Sequence, residues 1–158
     1  MGSCASATRA VIAGGYSAPD SNYSQPRIEY ITMASQGNGM LFGSLGNSTF
    51  RYSGGASTST RGLFFGGGYP SYYDVIHYVE IGTLGDSLDF GDLTSSNMIK
   101  SCCASPTRAI SAGGTDSGGK NIIDYWQIMT LGNAQDFGDR TIAKYGGGCV
   151  SNGHGGLG

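Results

Sequence analysis

Apolar positions along the chain come in short runs, each closed by glycines. Val11-Ile12-Ala13 ends on Gly14-Gly15, Leu63-Phe64-Phe65 on Gly66-Gly67-Gly68, and Ala109-Ile110-Ser111-Ala112 on Gly113-Gly114. Thr-Arg opens each run: Thr8-Arg9, Thr60-Arg61 and Thr107-Arg108. A short apolar run bounded by glycines predicts a buried strand ending in a tight turn. Runs of period 3.6 long enough for an amphipathic helix are missing, so the pattern predicts an all-β chain.

A second element keeps the same spacing. Tyr30, Tyr78 and Tyr125 recur 48 and then 47 positions apart (78−30, 125−78), each inside an alternating strand pattern. Phe42, Phe90 and Phe137 recur at the same two steps, each followed by glycine. Gly37, Gly85 and Gly132 fall between them, at the turn joining the two strands. A fourth, small and polar element precedes each Thr-Arg: Cys4-Ala5-Ser6-Ala7, Ala56-Ser57-Thr58-Ser59 and Cys103-Ala104-Ser105-Pro106. It returns as Cys149-Val150-Ser151-Asn152. The extra residues of the first copy fall between Gly15 and Ile28, a loop, where insertions are tolerated.

The chain therefore divides into repeats at approximately 1–49, 50–97 and 98–143, with a partial fourth at 144–158. Four short strands in about 40–50 residues is the pattern of a propeller blade. Small residues suit innermost strands that converge on a channel. The expected fold is a segment of three four-stranded blades plus a surplus C-terminal strand, within a single domain.

Composition narrows the function. Charged residues make up 13% of the chain, against about 25% in ordinary soluble domains. Glycine supplies 29 of the 158 residues without a three-residue period, which excludes collagen. A formal net charge of −2 provides no electrostatic footprint for nucleic acid or an anionic membrane. No apolar run reaches the length of a membrane-spanning helix, and no charged segment followed by an apolar one opens the sequence, so no signal peptide is expected.

The Arg, the apolar strand, the Gly-Gly pair and the downstream aromatic resemble kelch repeats, which build β-propellers. The copies ending in Asp-Phe-Gly-Asp, at Asp89–Asp92 and Asp136–Asp139, resemble the kelch-like proteins encoded by tailed phages and other large DNA viruses. The likeness covers nearly the whole chain. It departs from the common kelch pattern in its tryptophan, since Trp126 sits inside the Tyr-bearing strand. The resemblance implies a non-enzymatic structural or host-attachment component of a virion, made in the host cytoplasm. An intracellular kelch adaptor and a lectin-like propeller are the alternatives.

Other motifs are absorbed by the repeat. Asp89-Phe90-Gly91 lacks the catalytic-loop Asp and strand Lys of a kinase. The glycine clusters feed no helix, so they are not phosphate cradles. The Asp residues beside Phe90 and Phe137 are Leu41 and Ser44 in the first copy, which argues against calcium. Zinc spacing is not met by the four cysteines, expected as small buried thiols. No cofactor and no metal are expected. Arg9, Arg61 and Arg108 are each expected to pair locally with an acidic residue or a carbonyl. Met1-Gly2-Ser3-Cys4 fits a myristoylation pattern, yet the repeat already accounts for it. Asn47-Ser48-Thr49 is a glycosylation sequon.

The binding surface is expected in the loops after the glycine pairs. They carry Tyr16 and Tyr23 in the first copy and Tyr69, Tyr72 and Tyr73 in the second. Tyr, Ser, Gly and Asn are residues of adaptable binding loops, and aromatic faces also stack on sugars, so a cell-surface glycan is one candidate ligand; the alternative reading is that these tyrosines cover blade edges. Three blades leave two apolar faces open. The expected partners are therefore further copies of the chain, or other virion proteins, fastened by the surplus strand.

Overall fold

The computed structural model describes residues 1–16, 25–46, 51–68 and 71–150. Tyr23, Tyr69, the sequon Asn47-Ser48-Thr49 and the end of the surplus strand lie outside the described residues.

Twelve strands form three separate four-stranded antiparallel sheets, with no helix among the described residues. The first sheet holds β1 (Gly2–Ala5), β2 (Arg9–Ala13), β3 (Arg27–Thr32) and β4 (Met40–Ser44). The second holds β5 (Gly54–Ser57), β6 (Arg61–Phe65), β7 (Val75–Glu80) and β8 (Leu88–Asp92). The third holds β9 (Ser101–Ala104), β10 (Arg108–Ala112), β11 (Ile122–Gln127) and β12 (Gln135–Asp139). Each is a meander in chain order. A bulge breaks the outer ladder at one repeat position, between Ile28 and Glu29, Ile76 and His77, and Ile123 and Asp124. Bulges add local twist.

The core lies between sheets. One apolar cluster joins Val11, Ile28, Phe42 and Leu45 to Phe64, Val79 and Ile81. The other joins Leu63, Phe65, Ile76 and Phe90 to Ala109, Trp126 and Ile128. Strand β6 feeds both, so it is buried along nearly its whole length, while β2 and β10 bury alternate residues. The middle sheet has a neighbour on each face and loses its alternation for that reason.

The small residues of the first strands have a steric cause. Strand β5 lies against both β1 and β9. A Cβ on Gly55 would sit 2.2 Å from the Ser3 carbonyl oxygen.

Residues 144–150 differ from expectation. They form no strand and are exposed. They do retrace the link from the second sheet to the third. Gly114 N–H donates to the Lys144 carbonyl (3.2 Å) as Gly67 N–H does to Asn97 (2.9 Å). Gly146 N–H donates to Ile99 (3.4 Å) as Ile99 N–H does to Tyr52 (2.9 Å). Tyr52, Ile99 and Gly146 all hold positive φ, at 58°, 58° and 75°, a conformation rare for a β-branched residue. This register sets Cys149 level with Cys102, not with Cys103. The tail thus reaches the place of a fourth innermost strand, but an inner strand becomes one only by pairing with a second, and none of the described residues provides it.

Candidate interaction surfaces

One stack of side chains recurs in every sheet. Arg9 lies over the Tyr30 ring (4.8 Å), Arg61 over Tyr78 (4.6 Å) and Arg108 over Tyr125 (5.0 Å). Each Tyr meets a Phe edge-on, at 6.0 Å for Phe42, 6.1 Å for Phe90 and 5.8 Å for Phe137. The ladder produces this order: Arg9 pairs with Thr32, two residues beyond Tyr30 on the same face. The sequence placed these residues in register, and the structure gathers them into one device.

In two of the three copies the device reaches the next sheet. Arg9 Nη1 donates to the Ile81 carbonyl at 2.9 Å, and Arg61 Nη1 to the Ile128 carbonyl at 3.1 Å. Arg61 also forms an ion pair with Glu80 at 2.8 Å. Arg61 thus finds the expected local acid in Glu80 of its own sheet, whereas the carbonyls that Arg9 and Arg61 reach belong to the neighbouring sheet.

A strip of backbone bonds closes the same junctions. Gly85 N–H donates to the Phe42 carbonyl (3.0 Å), Ser87 N–H to that of Ser44 (2.9 Å), and Asp86 Oδ1 accepts from Ser44 N–H (2.9 Å). One sheet on, Gly132 N–H donates to Phe90 (2.9 Å), Ala134 N–H to Asp92 (2.7 Å), and Asn133 Oδ1 accepts from Asp92 N–H (3.1 Å). Such proximity requires glycine opposite. A Cβ on Gly43 would lie 2.0 Å from the Gly85 oxygen, and one on Gly91 2.5 Å from that of Gly132. The Phe-Gly pair thus lies on the fourth strand of each sheet, and in the first two sheets its glycine sits at the junction.

The two ends of the row are open. Phe42 and Phe90 are 3% exposed, whereas Phe137 is 54% exposed. Ile81 and Ile128 are 1% and 0% exposed, whereas Met33, their counterpart, is 57% exposed. A depression of about 440 Å³ lies beside Arg108, Tyr125, Asn133 and Gln135. Another of about 450 Å³ lies beside Met1, Ile12, Tyr16, Gln25, Arg27 and Glu29, with Arg27 and Glu29 ion-paired at 3.0 Å.

The loop tyrosines fare unequally. Tyr16 is exposed, with the Arg51 guanidinium 4.9 Å over its ring. Tyr72 and Tyr73 are half-buried. Tyr73 N–H donates to the Gly67 carbonyl (2.9 Å), and its ring lies over Gly68. Tyr73 packs the turn. The depression beside Tyr16 is lined by residues of the first repeat alone, so it does not gather Tyr16 with Tyr72 or Tyr73.

One polar cluster escaped sequence reasoning. Lys100 Nζ sits 2.6 Å from Asp124 Oδ2 and donates to Ser111 Oγ at 3.2 Å; Thr94 Oγ1 donates to Asp124 Oδ1. Lys100 and Asp124 are both buried. Burial pushes the Lys100 ammonium below its ordinary value, and Asp124 opposes that shift. The signal was a break in the repeat. Where the third copy has Lys100, Ser111 and Asp124, the second has Ser53, Phe64 and His77. The two buried charges are paired with each other, and each makes a further hydrogen bond to a hydroxyl, which offsets their desolvation. The cysteines are all free thiols, but only Cys4 is buried and Cys149 is exposed; Cys4 is pushed up to about 12 by burial.

No protein-family model matches the chain, and no curated protein matches it. Among solved structures, one titled "Structure of YjhT" superposes with a TM-score of 0.74 at 11% identity. The match covers 92% of this chain and 57% of that one, so this chain spans little more than half of YjhT's length. At that identity the likeness speaks for the fold alone.

Proposed function

We propose that the three sheets are blades of a kelch-like β-propeller and that the chain is a non-enzymatic structural or host-attachment component of a virion. The observation that carries this reading is the use to which the repeat is put. Each recurrent Arg, Tyr and Phe belongs to one stack, and the first two copies of that stack join one sheet to the next. The repeated chemistry serves assembly. The virion setting rests on the Asp-Phe-Gly-Asp form of the repeat and on its resemblance to viral kelch-like proteins. Its partners are copies of itself or other virion proteins. Host attachment would use the exposed Tyr16 beside the Arg27–Glu29 depression, where an aromatic face and paired charges suit a glycan. Mass spectrometry of purified particles tests the setting: the chain should be present at structural stoichiometry. Its restriction to infected-cell lysate would overturn the proposal.

A further inference from the structure

The two open faces are halves of a junction that the molecule already forms twice. The outward face of the third sheet carries Ile110, Ile123 and Phe137 where the second carries Leu63, Ile76 and Phe90. The outward face of the first sheet carries Ala10, Ile12, Ile31 and Met33 where the third carries Ala109, Ser111, Trp126 and Ile128. One end of the chain is the giving face of the junction and the other end is its receiving face.

We infer that the third sheet of one chain docks head-to-tail on the first sheet of a second copy, and that two copies close a ring of six sheets. This rests on the propeller reading above and names its partner. The contacts follow position by position from the two internal junctions. Arg108, already held over Tyr125, donates to the Met33 carbonyl of the second copy. Gly37 N–H donates to the Phe137 carbonyl and Gly39 N–H to that of Asp139, while Asn38 Oδ1 accepts from Asp139 N–H. Gly138 faces open space, with nothing within 4 Å of a Cβ built on it, where its counterparts Gly43 and Gly91 meet the next sheet's backbone. The docked hairpin fills that space.

The receiving and giving faces lie at opposite ends of the row, so the contact between copies is heterologous. A heterologous contact either closes or runs on as a filament, and six blades fall within the range that closes. The tail is not the fastener. The first sheet already has its inner strand, β1, paired with β2. The second copy's β1 takes the position that Gly147–Val150 hold beside β9, so those exposed residues leave on docking.

Two variants of the 158-residue chain and their mixture test this by light scattering. Phe137→Glu spoils the giving face and Ile31→Glu the receiving face; both side chains are exposed in the single chain, and circular dichroism checks that each variant folds. Wild type should show twice the 16.3 kDa of one chain. Each variant alone should lose the dimer at concentrations where wild type keeps it. The equimolar mixture should recover a dimer, because one junction of the ring then has two native faces. A monomeric wild type overturns the inference, as does Ile31→Glu dimerising alone, which would mean that like faces pair. Either failure leaves the particle assay above to decide the virion role separately.

Discussion

The guanidinium of Arg61 donates to the carbonyl oxygen of Ile128 at 3.1 Å, across the boundary between the second and third sheets. The same group holds Glu80 and covers the ring of Tyr78. It thereby links its own sheet's aromatic stack to its neighbour's backbone. Replacing Arg61 with Ala should destabilise the fold by about 1–3 kcal/mol, the combined scale of a charge-assisted hydrogen bond and a partly buried cation–π contact. Arg108→Ala, at the open end, should stay within about 0.5 kcal/mol in dilute protein. Urea unfolding of the two variants makes the comparison.

Glycine at the junction is a matter of space. In Gly43→Ala the new methyl meets the Gly85 carbonyl at 2.0 Å, backbone against backbone. Relief requires the first and second sheets to part, and overpacking of this kind costs about 1–3 kcal/mol or more. Gly37→Ala meets nothing within 4 Å and should be neutral or slightly stabilising. Thermal melting separates them, at about 2–4 °C per kcal/mol for a chain of this size.

The buried pair should behave as a unit. Asp124→Asn leaves the Lys100 ammonium enclosed without a counter-charge, and breaking such a pair costs about 3–5 kcal/mol. Lys100→Met together with Asp124→Leu should cost far less than the two single changes added. A double-mutant cycle from denaturant midpoints reads the coupling. Additive single costs would show that the pair does not act together.

Cys4 makes a prediction about pH. Its thiol is pushed up to about 12 by burial, from an ordinary value of 9.0. The folded state therefore keeps a proton that the unfolded chain releases, and the stability it confers is whole below pH 9 and lost as pH rises toward 12. At pH 10.5 the loss should reach about 2 kcal/mol, at 1.36 kcal/mol per pH unit. Cys4→Ala, which installs the residue found at Ala56 in the second copy, should flatten that part of the curve. Equal alkaline losses in the two proteins would contradict the assignment.

Much of this structure was legible in the sequence because it repeats. Arg9, Tyr30 and Phe42 could be set beside Arg61, Tyr78 and Phe90 by counting alone, and strand order followed from short connections. Spacing could not reveal that the Arg crosses to the next sheet, because Ile81 and Ile128 contribute a carbonyl, a group every residue carries. Lys100 and Asp124 were overlooked for the opposite reason: they break the repeat, and each looks like an ordinary surface charge until the chain folds. Tyr73 resembles a binding residue in composition but is claimed by the turn at Gly68. The tail has an inner strand's pattern, yet pairing makes a strand.

The most direct measurement is residue-resolved amide exchange at Gly37, Gly85 and Gly132 over a range of protein concentrations. These three amides hold one position in three sheets. Gly85 and Gly132 donate across a junction, and should be protected at every concentration because they open only with the sheets. Gly37, at the receiving end, should exchange freely in dilute protein and become protected as concentration rises and a second copy docks. Free exchange at Gly85 and Gly132 would contradict the junctions themselves, and a Gly37 amide that stays unprotected at high concentration would contradict the head-to-tail ring.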